Sequence, residues 1–145
     1  MSADAKSVLA RLAAYQAAVH AKDIDAFAAL YDADVRVFDM WGAWSCEGIA
    51  AWRAMAANWF GSLGTDAVVV GVDDARVQVE QNLASAQAFL TFTGVSASGE
   101  TLRTMDNRLT WVLQRRGDAW KVVHEHTSAP MDFATSKLMQ KRESR

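Results

Sequence analysis

The order of patterns along this chain predicts an α+β domain, with helices first and a run of antiparallel strands after them. Three observations carry that prediction. Apolar residues recur at helical spacing in three segments within residues 5–62. From Val68 onward the chain turns to Val-, Phe- and Trp-rich segments of strand type, separated by short polar or Gly-containing turns. The single proline, Pro130, stands only after the last of these segments.

Each element has its own signal. Residues 5–21 set Val8, Leu12, Tyr15 and Val19 on one helical stripe among many alanines, the best helix formers. Lys22-Asp23 interrupts the stripe, and Asp23 can cap a second helix that runs through Tyr31 with Ile24, Phe27 and Leu30 inward. Val35 to Asp39 reads as a strand. Met40 to Gly48, with two Gly and two Trp, reads as a loop or short hairpin. Residues 48–62 return to helical spacing through Ile49, Trp52, Met55, Trp59 and Phe60, and Gly61 and Gly64 are expected to end that helix. Val68 to Val79 is a Val-rich strand in which Gly71-Val72-Asp73-Asp74 marks a bulge. Gln81-Asn82 turns the chain into a strand over 86–95, Ser96 to Glu100 turns it again, and Leu102 to Arg115 is a long strand. Arg116-Gly117-Asp118 is the next hairpin turn, and Trp120 to Ser128 is the last strand.

The 145 residues suit one domain large enough to bury a core, expected over residues 1–133, with 134–145 as a charged, mobile tail. A hydrophobic content of 51% argues against disorder. The net charge of −2 offers no electrostatic case for nucleic acid or an anionic membrane surface. One cysteine, Cys46, leaves no internal disulfide and no cysteine-rich metal site. The start Met-Ser-Ala-Asp-Ala-Lys lacks the basic and apolar regions of a signal peptide, and no apolar run reaches the roughly 20 residues of a membrane span. The expectation is a cytoplasmic protein. The strands are apolar on both faces, since Phe89, Leu90 and Phe92 cannot share one side. The helices cover one face, so a homodimer through the other is expected.

The chemistry of interest lies between Tyr15 and Asp39. A phenol and a carboxylic acid on two elements that meet in one core can, respectively, donate to a developing oxyanion and shuttle a proton. The plainer reading makes Tyr15 a core residue and Asp39 a strand-end carboxylate bonded to backbone N–H groups. The six Trp divide the same way, between core plus interface and the wall of an apolar pocket.

The segments Ala21 to Asp39, Glu47 to Arg53 and Arg115 to Pro130 carry a resemblance to the nuclear transport factor 2-like superfamily and its SnoaL-like proteins. It covers roughly residues 5–133. The resemblance implies a cone-shaped α+β barrel, with N-terminal helices packed into a curved, mostly antiparallel sheet. Ketosteroid isomerase, a member, carries a Tyr on its first helix and a proton-shuttling Asp at the end of its first strand, and Tyr15 and Asp39 match them. Its second oxyanion donor falls on Leu109 or Thr110 here, with Asp106 out of register. The C-terminal half is similar to the association domain of calcium/calmodulin-dependent protein kinase II. The pocket arginines of that domain fall on Thr91, Trp111 and Thr127, which implies a pocket without a cation that does not favour a carboxylate ligand. The same match puts Glu125 on the pocket face beside Thr127, and His124 and His126 outward; with the opposite facing, His124 replaces Glu125 as the candidate base.

Glu125 therefore either lines the pocket or pairs with Arg103 or Arg108. Buried without a pair, its pKa would rise into a range useful for proton transfer. His124 and His126 share a face but lack an evident third ligand, so no metal is expected. His20 reads as a solvated residue at a helix end. Cys46 has no evident His or Asn partner for nucleophilic work. The expected catalytic set is Asp39, Tyr15 and Glu125. The expected ligand-binding set is Trp59, Phe89, Thr91, Asn107, Trp111 and Thr127. Two functions follow. One is an isomerase or lyase that moves a proton beside a carbonyl in a small apolar or mildly polar molecule and needs no cofactor. The other is a non-catalytic module that binds such a molecule or dimerises.

Overall fold

A computed structural model describes residues 1–143. Helix α1 runs over Ala3–Ala21, two residues earlier than its apolar stripe, because Ser2 caps it through a 3.1 Å bond from the Ala5 N–H and Asp4 lies in the positive first turn. Lys22 closes the helix in the left-handed conformation at φ 53°. Its ammonium donates to the Gly64 and Asp66 carbonyls at 2.8 and 2.7 Å, which ties the end of α1 to a loop far along the chain.

Asp23 caps α2, Ile24–Ala28, as its sequence position predicts, accepting from the Ala26 N–H at 3.0 Å. The helix stops at Ala28 and does not reach Tyr31. That residue already belongs to β1, Tyr31–Phe38, whose parallel partner is the last strand. Long-range pairing overrides local helical spacing here: the Leu30 carbonyl accepts from the Val122 N–H at 3.0 Å. The two-residue strand β2, Cys46–Glu47, folds back on β1. Helix α3, Ile49–Ser62, buries Trp52, Ala56 and Phe60, and continues through Gly61 before Leu63 caps it.

Strand β3, Ala67–Glu80, shifts register between Asp73 and Arg76, with Asp74 at φ 51°, where the sequence marks a bulge. Strands β4 (Leu83–Val95), β5 (Thr101–Arg116) and β6 (Ala119–Ser128) complete one six-stranded sheet of order β2-β1-β6-β5-β4-β3. It is mostly antiparallel, curved and unclosed, with the helices against its concave face. Val8, Leu12 and Val19 of α1 meet Phe27, Leu30, Leu90, Leu113 and Val122 in the core.

The convex face is partly covered by the chain itself. After Pro130 the chain turns back through a Met131–Leu138 bridge and docks along β5. The Asp106 N–H donates to the Gln140 carbonyl at 2.8 Å, and the Asp106 carboxylate accepts from the Arg142 N–H at 2.7 Å. The Arg142 guanidinium bonds Asp73 at 2.8 Å and lies 3.8 Å over the Phe89 ring. This strap corrects the premise that no element is left to cover that face. No helix forms in it through Glu143. Among the described residues, no helix is long and apolar enough to cross a membrane.

Candidate functional site

The site is built by a change of phase in β6. Trp120 and Val122 point inward, but a register shift against β5 between Val112 and Leu113 inserts an extra residue, and inward pointing resumes at Glu125 and Thr127. Without that shift strict alternation would put His124 and His126 inside. Their rings pack instead outside, against Phe38, and His124 Nδ1 lies 2.7 Å from the Arg36 carbonyl oxygen.

Glu125 is 3% exposed. Its Oε1 accepts from the Tyr31 hydroxyl at 2.7 Å and from Trp111 Nε1 at 2.8 Å. Neither Arg103 nor Arg108 pairs with it. Burial raises its pKa from the usual 4.5 to about 7, the charge of Asp39 adds to the rise, and the two donors oppose it. Burial also raises Tyr31, with Glu125 next in effect and the Trp52 indole acting in the opposite sense.

Asp39 follows β1 directly and is half-buried. Its Oδ1 accepts from the Thr127 hydroxyl at 2.9 Å, while Thr127 Oγ1 accepts from the Met40 N–H at 2.9 Å. Burial raises its pKa, against the Thr127 hydroxyl and the Met40 and Trp41 N–H groups. Tyr15 packs edge-on against Trp111, with ring centroids 6.0 Å apart. Its hydroxyl has no hydrogen-bond partner among the described residues. Burial raises its pKa strongly, and the charges of Glu125 and then Asp39 raise it further. The three groups predicted from sequence thus sense one another in one place.

They line a cavity of about 520 Å³. Its polar end holds Tyr15, Asp39, Asn107, Glu125 and Thr127, and its wall is Phe27, Trp41, Trp52, Met55, Trp59, Phe92 and Met105. Volume and lining suit a small molecule of a few rings. Of the expected ligand-binding residues, Trp59, Asn107 and Thr127 line it. Trp111 is wholly buried behind it as the support of Glu125. Phe89 and Thr91 lie on the convex face, apart from the cavity: Phe89 is under Arg142, and the Thr91 hydroxyl donates to Asp106 at 2.7 Å. In β4 the even-numbered residues Ala88, Leu90 and Phe92 face inward, so both are on the wrong parity.

Two further residues belong to the site. Local spacing places Tyr31 on a helix, and only its parallel partner β6 reveals that its hydroxyl meets Glu125. Arg103 lines the cavity and corrects the expectation of a pocket without a cation. Its signal was available, because Arg103, Met105 and Asn107 alternate on one face of β5. Cys46 lies nearby, but burial, Asp39 and Glu47 raise its pKa, the reverse of thiol activation. Among the described residues no three His, Cys, Asp or Glu side chains cluster as metal ligands would.

A curved open sheet wrapped round three helices, with a polar-ended aromatic cavity between them, is the nuclear transport factor 2-like fold. The pattern that defines the SnoaL-like domain matches residues 8–132, and the chain belongs to that family. Three solved structures show the likeness. A nuclear transport factor 2-like protein of unknown function from Pseudomonas putida KT2440 is 26% identical, with 99% of each chain covered and a TM-score of 0.86. A protein of the same class with a cystatin-like fold from Novosphingobium aromaticivorans is 20% identical, covering 84% of this chain and 79% of its own, with a TM-score of 0.72. A Xanthomonas campestris protein assigned as a calcium/calmodulin-dependent protein kinase II association domain is 21% identical over 85% of each chain, with a TM-score of 0.68. No curated protein matches the sequence.

Proposed function

We propose that the protein is a cofactor-independent isomerase or lyase that moves a proton beside a carbonyl group of a small conjugated molecule. One observation carries this reading: two carboxyl groups in contrasting surroundings and a free, buried phenol converge on one aromatic-walled cavity. Asp39 keeps solvent contact and three donors that oppose the effect of burial, so it serves as the base. Glu125, at about 7, still carries its proton on a large share of molecules and is the acid. Such divergence of two neighbouring groups is the usual basis for dividing acid and base roles. Tyr15, with its hydroxyl unengaged and its ionisation strongly opposed, is a neutral donor to the oxygen that gains charge. Asp39 removes the proton next to the carbonyl, Tyr15 steadies the enolate oxygen, and Glu125 or protonated Asp39 returns the proton at the new carbon.

The test is a panel of β,γ-unsaturated ketones and 1,3-dicarbonyl compounds followed for isomerisation and for deuterium exchange. Wild type is expected to turn over or exchange at least one of them. Asp39→Asn should lose about 10²–10⁴-fold, as for a general base. Absence of exchange in wild type, or an Asp39→Asn protein as fast as wild type, rejects catalysis and leaves a binding module.

A further inference from the structure

Arg103 has no part in that proton transfer, yet it lines the same cavity. Among the described residues the other arginines are all engaged. Arg36, Arg53, Arg76, Arg115, Arg116 and Arg142 each form an ion pair. Arg11 and Arg108 donate to Ala29 O and Ser128 Oγ. Arg103 alone has neither an ion pair nor a hydrogen bond there. It is exposed, on the strand next to the Ser96–Glu100 turn, and so stands at the rim, whereas Tyr15 and Glu125 are buried at the floor. Between them lie flat and thioether side chains: Trp59, Phe92 and Met105.

A ligand that spans this cavity meets a neutral phenol and a carboxyl pair at one end and a free guanidinium at the other. A negative group at the floor would meet the carboxyls of Asp39 and Glu125, which oppose it. At the rim it gains a charge-assisted, planar, two-point contact that a guanidinium is shaped to give. We infer that the substrate is a flat conjugated carbonyl compound with a carboxylate at the end remote from its carbonyl, and that Arg103 holds that carboxylate and so sets which way round the molecule binds. The position of the carbonyl rests on the proton-transfer reading. The preference for an anion does not.

The experiment compares two probes by calorimetry at pH 7 and low salt: 6-acetyl-2-naphthoate and 2-acetylnaphthalene, which differ only by the carboxylate. The naphthoate is expected to bind wild type about tenfold more tightly, the gain of one charge-assisted bond. Arg103→Ala should erase that difference, Arg103→Lys should keep part of it, and Arg103→Glu should reverse it. Arg103 is an exposed strand residue, and unchanged melting temperatures will confirm that the variants fold. Equal affinity of the two probes, a preference that survives in Arg103→Ala, or no binding of either probe overturns the inference. Deuterium exchange at the acetyl methyl group is followed in the same samples. Exchange without an anion preference rejects the role of Arg103 and leaves proton transfer standing. An anion preference without exchange supports Arg103 and counts against proton transfer.

Discussion

Glu125 is a carboxyl at the buried end of the cavity, and its state is set by burial against two hydrogen bonds. Because its folded pKa, about 7, lies above the 4.5 of an exposed glutamate, the folded chain holds the proton more tightly than the unfolded chain. Stability from this source is complete below pH 4.5 and is lost as pH rises to about 7, by up to about 3 kcal/mol. Urea titrations of wild type should show that decline, and Glu125→Gln, which keeps the acceptor oxygen without the charge, should remove it. If the decline is identical in Glu125→Gln, the carboxyl is not the group responsible. The same value bears on activity. A reaction that needs Glu125 protonated falls off above about pH 7. Trp111→Phe deletes a donor that stabilises the carboxylate, so it should move that alkaline limb to higher pH. A limb that stays in place or moves down would show that another group sets it.

At the scale of elements, the end of the chain behaves as a strap. Three contacts fasten it: the Asp106 N–H to the Gln140 carbonyl, the Arg142 N–H to Asp106, and the Arg142 guanidinium between Asp73 and the Phe89 ring. Arg142→Ala removes a charged hydrogen bond and a stacking contact on a partly buried side chain. A loss of about 1–2 kcal/mol is expected, discounted for exposure, which is a fall of roughly 2–8 °C in Tm by thermal melting. No change would mean that the strap is undocked in solution. Helix α2 offers a simpler case. Asp23→Ala withdraws the cap from a five-residue helix and should cost about 1 kcal/mol. This cap was readable from the sequence because it is a contact over three residues. The strap was not, because charge and position in the tail say nothing of Asp73 or Phe89.

At the scale of the molecule, apolar side chains remain outside: Val69 and Leu102 on the sheet, Met131 and Phe133 on the strap, and Trp44, 98% exposed, in the loop before β2. A homodimer that covers such residues is expected, and light scattering at micromolar concentration should return roughly twice the chain mass. A monomer would show that the strap suffices as cover. Much of the fold was legible beforehand: the element order, the β3 bulge and the strand-rich second half follow from spacing and turn residues. The site was legible in part. Tyr15, Asp39 and Glu125 converge as the resemblance implies, while Phe89 and Thr91 fall on the opposite face.

Local chemistry reaches only a few residues along the chain. That is why the sequence by itself determined where most helices, strands and turns occur, as with the cap at Asp23 and the turn at Gly117. The tertiary structure decided what those elements present to one another. Tyr31 meets Glu125 across a separation of 94 residues, and it does so only because a parallel β1–β6 pairing ends α2 early. An extra residue in β6 decides that Glu125 faces in and the two histidines face out. The pKa of about 7 at Glu125 belongs to neither neighbour in sequence. It comes from the removal of water by helices that lie more than 60 residues away along the chain, and no reading of residues in order contains that desolvation.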